Sequence, residues 1–108
     1  MSVPVPSAGP SFQVISGSVV RLTMQWVTWS GSPVDPDSGT KSLKIYNWNT
    51  GQLLATIADG SLIRDGTGLY HYDYTTPTVY ATNTFYAQWQ AAISSEVDVR
   101  RFFFSVTM

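Results

Sequence analysis

The stretch SVVRLTMQWVTW, residues 18–29, alternates strictly: Val20, Leu22, Met24 and Trp26 fall on one side, and Val19, Arg21, Thr23 and Gln25 on the other. A period of two sends successive side chains to opposite faces of an extended chain, so this segment reads as a β-strand with its first set toward a core. The pattern returns along the whole sequence. FQVI (12–15) precedes it, and KSLKIYNW (41–48) sets Leu43 and Ile45 against Lys44 and Tyr46. QLLATI (52–57) follows, then a short edge strand around Leu62 and Ile63. In DGTGLYHYDYTTP (65–77), Tyr70, Tyr72 and Tyr74 share one face, and Leu69, His71 and Asp73 the other. TFYAQWQAAI (84–93) sets Phe85, Ala87, Trp89 and Ala91 against Tyr86, Gln88 and Gln90. EVDVRRFFFSVT (96–107) sets Phe102, Phe104 and Val106 against Val99, Arg101, Phe103 and Ser105.

No window repeats its apolar residues at helical spacing, and β-branched and aromatic residues dominate. The strands are separated by turn chemistry: Ser16-Gly17, the loop SGSPVDPDSGT (30–40), Asn49-Thr50-Gly51, Asp59-Gly60 and Asp65-Gly66, with Pro77 as a strand stop. About seven short strands with regular turns predict an all-β, antiparallel sandwich. Its expected core includes Val20, Leu22, Trp26, Ile45, Tyr70, Tyr72, Trp89, Phe102 and Phe104. Residues 1–10, with Pro4, Pro6 and Pro10 among small side chains, read as an extended, polyproline-like arm, leaving residues 11–108 as the sandwich domain.

Composition narrows the function. A chain of 108 residues suits one domain. Only 12% of its residues are charged and its net charge is −1, with no basic cluster larger than a pair, so a nucleic-acid partner is not expected. The absence of cysteine excludes a disulfide framework, a thiolate metal site and a thiol nucleophile. The start MSVPVPSAGPSF lacks a basic and an apolar leader segment, and no run is long enough to span a bilayer, so neither export by a leader nor a membrane partner is expected.

Catalytic patterns find little support. His71 is the single histidine and has Asp73 two residues on, but no G-x-S-x-G type turn supplies a nucleophile, and the plain reading is an exposed pair on a strand face. DPDSG (35–39) echoes the start of a calcium loop without the closing acid, and it is equally a turn sequence. We therefore expect no enzyme activity and no cofactor. Two features suit recognition. Trp29, Tyr46 and Trp48 lie near a strand end and the adjoining hairpin, where exposed rings stack on sugars or bury against proteins. Phe103 is placed outward by alternation, beside Val99 and Arg101, and an outward phenylalanine calls for a cover. A bulge near Arg100-Arg101 would instead turn it inward.

Taken in order, GSVVRLTMQWVTWSGSPVD, LKIYNWNTG, RDGTGLYHYDYTTP and FYAQWQA…RFFFSVT resemble a family of short immunoglobulin-like structural proteins of tailed phages and prophages, over roughly residues 17–107. The chain departs from that pattern at YATNTFY, where the family carries a glycine before its aromatic strand, leaving Asn83 or another turn to build the corner. The resemblance implies an immunoglobulin-like sandwich that serves as a virion component, a capsid decoration or cement protein or a head–tail accessory, made in the host cytoplasm. Its partners would be phage capsid or head–tail proteins, with a homo-oligomer open, engaged through Pro4, Pro6, Val99, Arg101 and Phe103. The alternative is a carbohydrate-binding or adhesion module using Trp29, Tyr46 and Trp48.

Overall fold

A computed structural model describes the main chain of residues 2–6 and all atoms of residues 13–28 and 30–107. Among these residues there are nine strands: β1 (Ser2–Pro6), β2 (Gln13–Ile15), β3 (Val19–Thr28), β4 (Ser42–Asn47), β5 (Leu53–Ala58), β6 (Ile63–Gly66), β7 (Leu69–Thr75), β8 (Asn83–Ile93) and β9 (Glu96–Thr107). A 3₁₀ turn, Asp59–Ser61, links β5 to β6. The strands form two sheets, ordered β1-β3-β7-β6 and β2-β9-β8-β4-β5. All pairings are antiparallel except β2 with β9.

The inward sets of the alternating segments meet between the sheets. Val20, Leu22, Met24 and Trp26 of β3 join Tyr70 and Tyr74 of β7, and they face Leu43 and Ile45 of β4, Phe85, Ala87 and Trp89 of β8, and Phe104 and Val106 of β9. Two of the expected core residues, Tyr72 and Phe102, are half-buried and pack against the margin of this cluster. The Trp26 indole N–H is buried and has no hydrogen-bond partner among the described residues, a cost accepted where a large ring fills the centre of the sandwich.

The first half of the predicted arm belongs to the fold. Ser2–Pro6 pairs with β3 in a register that puts Pro4 opposite Trp26 and Pro6 opposite Met24. The Trp26 main chain is turned away from β1, since its N–H donates to the Gly68 carbonyl and its own carbonyl accepts from Val34. β1 therefore bonds through the main chains of Val3 and Val5, while the nitrogens of Pro4 and Pro6 face outward from the sheet edge. Proline is tolerated in a strand where no ladder hydrogen bond is needed from it, which is why a proline-rich segment can close this edge. Residues 7–10 lie outside the described residues.

The DGTG turn is set by Gly68. It sits at φ +72°, and an added Cβ would lie 2.5 Å from the Trp26 carbonyl oxygen and 2.7 Å from that of Val34, both main-chain atoms that cannot swing aside.

Candidate functional site

The outer face of the five-stranded sheet carries the side chains left over when the inward sets are buried. The β8–β9 register runs unbroken from Ile93 opposite Glu96 to Asn83 opposite Val106, so no bulge intervenes at Arg100-Arg101 and Phe103 stays on the outer face. Phe103 lies opposite Tyr86, and Tyr86 opposite Tyr46, so three rings form one row across β9, β8 and β4. Directly opposed residues bring their side chains into contact range, and here they do so with rings. Tyr46 and Tyr86 stack with centroids 4.8 Å apart, and Phe103 tilts against Tyr86 at 5.5 Å.

Trp48 closes the cluster from just beyond the end of β4. Its N–H donates to the Thr84 carbonyl, and Asn49 Oδ1 accepts from the Thr84 N–H, which ties the hairpin to β8. Asn47 Oδ1 accepts from the N–H groups of Asn49 and Thr50, so the turn is held at both ends. On this fixed main chain the Trp48 indole stands edge-on to Phe103 at 5.3 Å and to Tyr86 at 6.0 Å, and it remains 57% exposed. Such edge-to-face pairs are favourable beyond their burial, so the rings hold one another in place.

A polar row lies beside the aromatic one: Thr56, Lys44, Gln88 and Arg101 on β5, β4, β8 and β9. Arg101 donates through Nε to Gln88 Oε1 at 2.8 Å and places its guanidinium 5.5 Å from the centroid of Tyr86. Among the described residues, neither Lys44 nor Arg101 is paired with a carboxylate.

Two groups that appear separate in the sequence thus form one surface. Of the residues expected as a sugar platform, Trp48 touches Phe103, expected as a docking residue, directly, and Tyr46 reaches it through Tyr86. Alternation places Tyr86 outward, but nothing local marks it as the hub. Val99 is exposed on the same face, opposite Gln90 and four residues from Phe103, with Arg101 between them. Trp29 lies outside the described residues. Pro4 and Pro6 sit on the edge of the other sheet and do not join the cluster.

The catalytic and metal patterns resolve differently. His71 is 5% exposed rather than open to solvent, and its Nδ1 lies 2.5 Å from Asp65 Oδ2, which the pairing of β6 with β7 brings alongside. Asp73 does not face it as a partner but accepts from Nε and Nη2 of Arg21, whose hydrogen bonds lower its pKa. In DPDSG, Asp35 accepts from Arg64, from the Gly68 N–H at 2.8 Å and from the Tyr70 hydroxyl at 2.9 Å. The hydrogen bonds from Arg64 and Gly68 hold its carboxyl down to about 2, while burial pushes the Tyr70 phenol up. Asp37 accepts from the N–H groups of Ser94 and Ser95 in the β8–β9 turn. Both carboxylates therefore face protein donors, and among the described residues no three His, Asp or Glu side chains come together as a metal site. The Asn83 amide donates to the Ala81 carbonyl, so Asn83 braces the corner before β8.

No family model and no curated protein matches the chain. Solved structures do. An engineered protein aligns with all of this chain at a TM-score of 0.63 and 15% identity, and the chain spans 20% of that protein's length. A superoxide reductase (neelaredoxin) from Ignicoccus hospitalis aligns over 95% of this chain and 78% of its own at 0.54 and 12% identity. The first immunoglobulin domain of Dpr1, solved bound to that of DIP-eta, aligns over 98% of each chain at 0.49 and 12% identity. It is the strand order of the two sheets that makes the fold immunoglobulin-like. In the usual lettering, β1, β3, β7 and β6 stand as A, B, E and D, and β9, β8, β4 and β5 as G, F, C and C′.

Proposed function

We propose that this chain is a non-catalytic binding domain that docks on a partner protein through the outer face of its β2-β9-β8-β4-β5 sheet. The observation that carries the reading is the continuous cluster of Tyr46, Trp48, Tyr86 and Phe103, with Arg101 held over Tyr86, on a face where a solvated sheet would be polar. Aromatic rings beside an arginine are the groups that anchor protein interfaces, and rings already locked against one another lose little freedom on binding. The resemblance of the strand-and-turn sequence to short immunoglobulin-like phage proteins supports a capsid or head–tail subunit as the partner, and a virion as the place of action. The test is to add the purified protein to particles lacking it and measure occupancy. Wild type should bind, and Trp48→Ala or Phe103→Ser should lower affinity at least about thirtyfold, the loss expected of a central anchor worth about 2 kcal/mol. Absence of wild-type binding, or equal binding by the variants, overturns the reading.

One observation favours a second reading. Trp48 offers an exposed, conformationally pinned indole, the kind of platform that stacks on a pyranose ring. Glycan-array binding lost in Trp48→Ala and kept in Phe103→Ser would replace the first reading with a carbohydrate-binding module.

A further inference from the structure

The sandwich has four sheet edges, and three carry devices against further pairing. On β1 the nitrogens of Pro4 and Pro6 face outward and offer no donor. β2 is three residues long. β6 is short, carries Arg64 and Asp65, and has an irregular register with β7. β5 is different: Leu53–Ala58, LLATIA, has neither proline nor charge over six residues. Its one irregularity lies next to Leu54, where the β4 register shifts between Ile45 and Tyr46, and Ala55–Ala58 beyond it is regular.

The direction of the free groups on β5 follows from β4. The Trp48 N–H bonds to β8 and the Asn47 N–H to Gln52, so even-numbered residues of β4 turn their main chain to β8 and odd-numbered ones to β5. Leu43–Ile57 and Ile45–Ala55 are then the bonded pairs, and the N–H and C=O groups of Thr56 and Ala58 point away from the sheet. We propose that β5 pairs antiparallel with β5 of a second copy of this chain, about a two-fold axis through Thr56, joining two five-stranded sheets into one of ten.

A second copy is the occupant because the edge is self-complementary. With Thr56 opposite Thr56, Ala55 meets Ile57 within the regular stretch and Leu54 meets Ala58 at its margin, and the pairing brings no charge against its like. The alternative self-contact, aromatic face on aromatic face, would set Lys44 and Arg101, which lack carboxylate partners on that face, against another cationic face. A two-fold axis perpendicular to the sheet also leaves both aromatic faces on the same side, with Leu53 of each copy, 47% exposed, beside Tyr46. The pairing does not depend on what the aromatic face binds.

Sedimentation of the purified chain over a concentration series tests it. Wild type should form a concentration-dependent dimer. Thr56→Glu should be monomeric, with the Tm that wild type shows when dilute enough to be monomeric, because its carboxylate faces Lys44 within the chain and meets its like only in the dimer. Mixing Thr56→Lys with Thr56→Glu should restore a one-to-one dimer, and Phe103→Ser should dimerise as wild type does. A monomeric wild type at its highest soluble concentration, an unaffected Thr56→Glu dimer, a failed lysine–glutamate mixture, or loss of the dimer in Phe103→Ser each overturns the proposal.

Discussion

The outer faces of the two sheets arise from the same alternation and end in opposite states. On the β1-β3-β7-β6 sheet, the polar groups find partners within the face: Arg21 with Asp73, His71 with Asp65, and Gln25 with the Thr67 carbonyl. On the β2-β9-β8-β4-β5 sheet, four rings lean on one another, and the cations beside them have no carboxylate among the described residues. A face whose charges are already matched gains little by being covered, because a partner must first displace those contacts. A face of exposed rings gains from cover, since removing apolar surface from water is favourable by roughly 25 cal/mol per Å².

Three perturbations separate these faces. Trp89→Ala removes a ring buried between both sheets and should cost about 3–5 kcal/mol, melting the two faces together. If hydrogen exchange showed either sheet still protected at the new Tm, the faces would not share one core. Phe103→Ser acts on one face alone. Its ring is half-buried against Trp48 and Tyr86, so a loss of about 1–2 kcal/mol is expected, well below that of Trp89, with a red-shifted Trp48 emission. A loss as large as that of Trp89→Ala would make Phe103 a core residue.

Acid gives the smallest effect and falls on the other sheet. Asp35 and Asp73 have depressed pKa values in the folded chain, Asp35 near 2, so each contributes stability above the usual carboxylate pKa of about 4. That contribution is lost as pH falls through the depressed value. Both carboxylates are largely solvent-exposed and their pairs are screened, which keeps the effect modest. Tm should therefore decline below about pH 4. Asp35→Asn should lower Tm at neutral pH and flatten that decline, and an unchanged acid limb would show that Asp35 contributes nothing.

The strands were legible because period-two alternation is a local signal, and the main chain follows it almost segment by segment. The arm was misjudged where a local rule met a tertiary exception: Pro4 and Pro6 exclude a central strand, yet they are compatible with an edge whose nitrogens face outward. His71 departs from its expected exposure, and its partner Asp65, six residues upstream, is set beside it only by the β6–β7 pairing. The aromatic face was legible in its parts and hidden in its sum. Tyr46, Tyr86 and Phe103 lie on three strands, and only the cross-strand register makes them neighbours. Asp37 stood out only as part of a calcium-like turn sequence and not as a brace, since its partners, the N–H groups of Ser94 and Ser95, belong to main chain rather than to side chains a motif could name.

That last contact bears on how β9 finds its place. Phe102, Phe103 and Phe104 are consecutive, so a slip of one residue would still offer a phenylalanine to each face, and hydrophobicity there discriminates weakly between the native pairing and its neighbour. The tight turn must supply the missing information. Ser94 and Ser95 both adopt positive φ, 51° and 67°, a conformation that suits a two-residue hairpin and that serine enters reluctantly. Asp37, reaching from the β3–β4 loop, bonds the N–H of both. A carboxylate far away in sequence thus acts as the alignment mark for the hairpin, choosing which of three identical side chains is buried and which is shown to the outside.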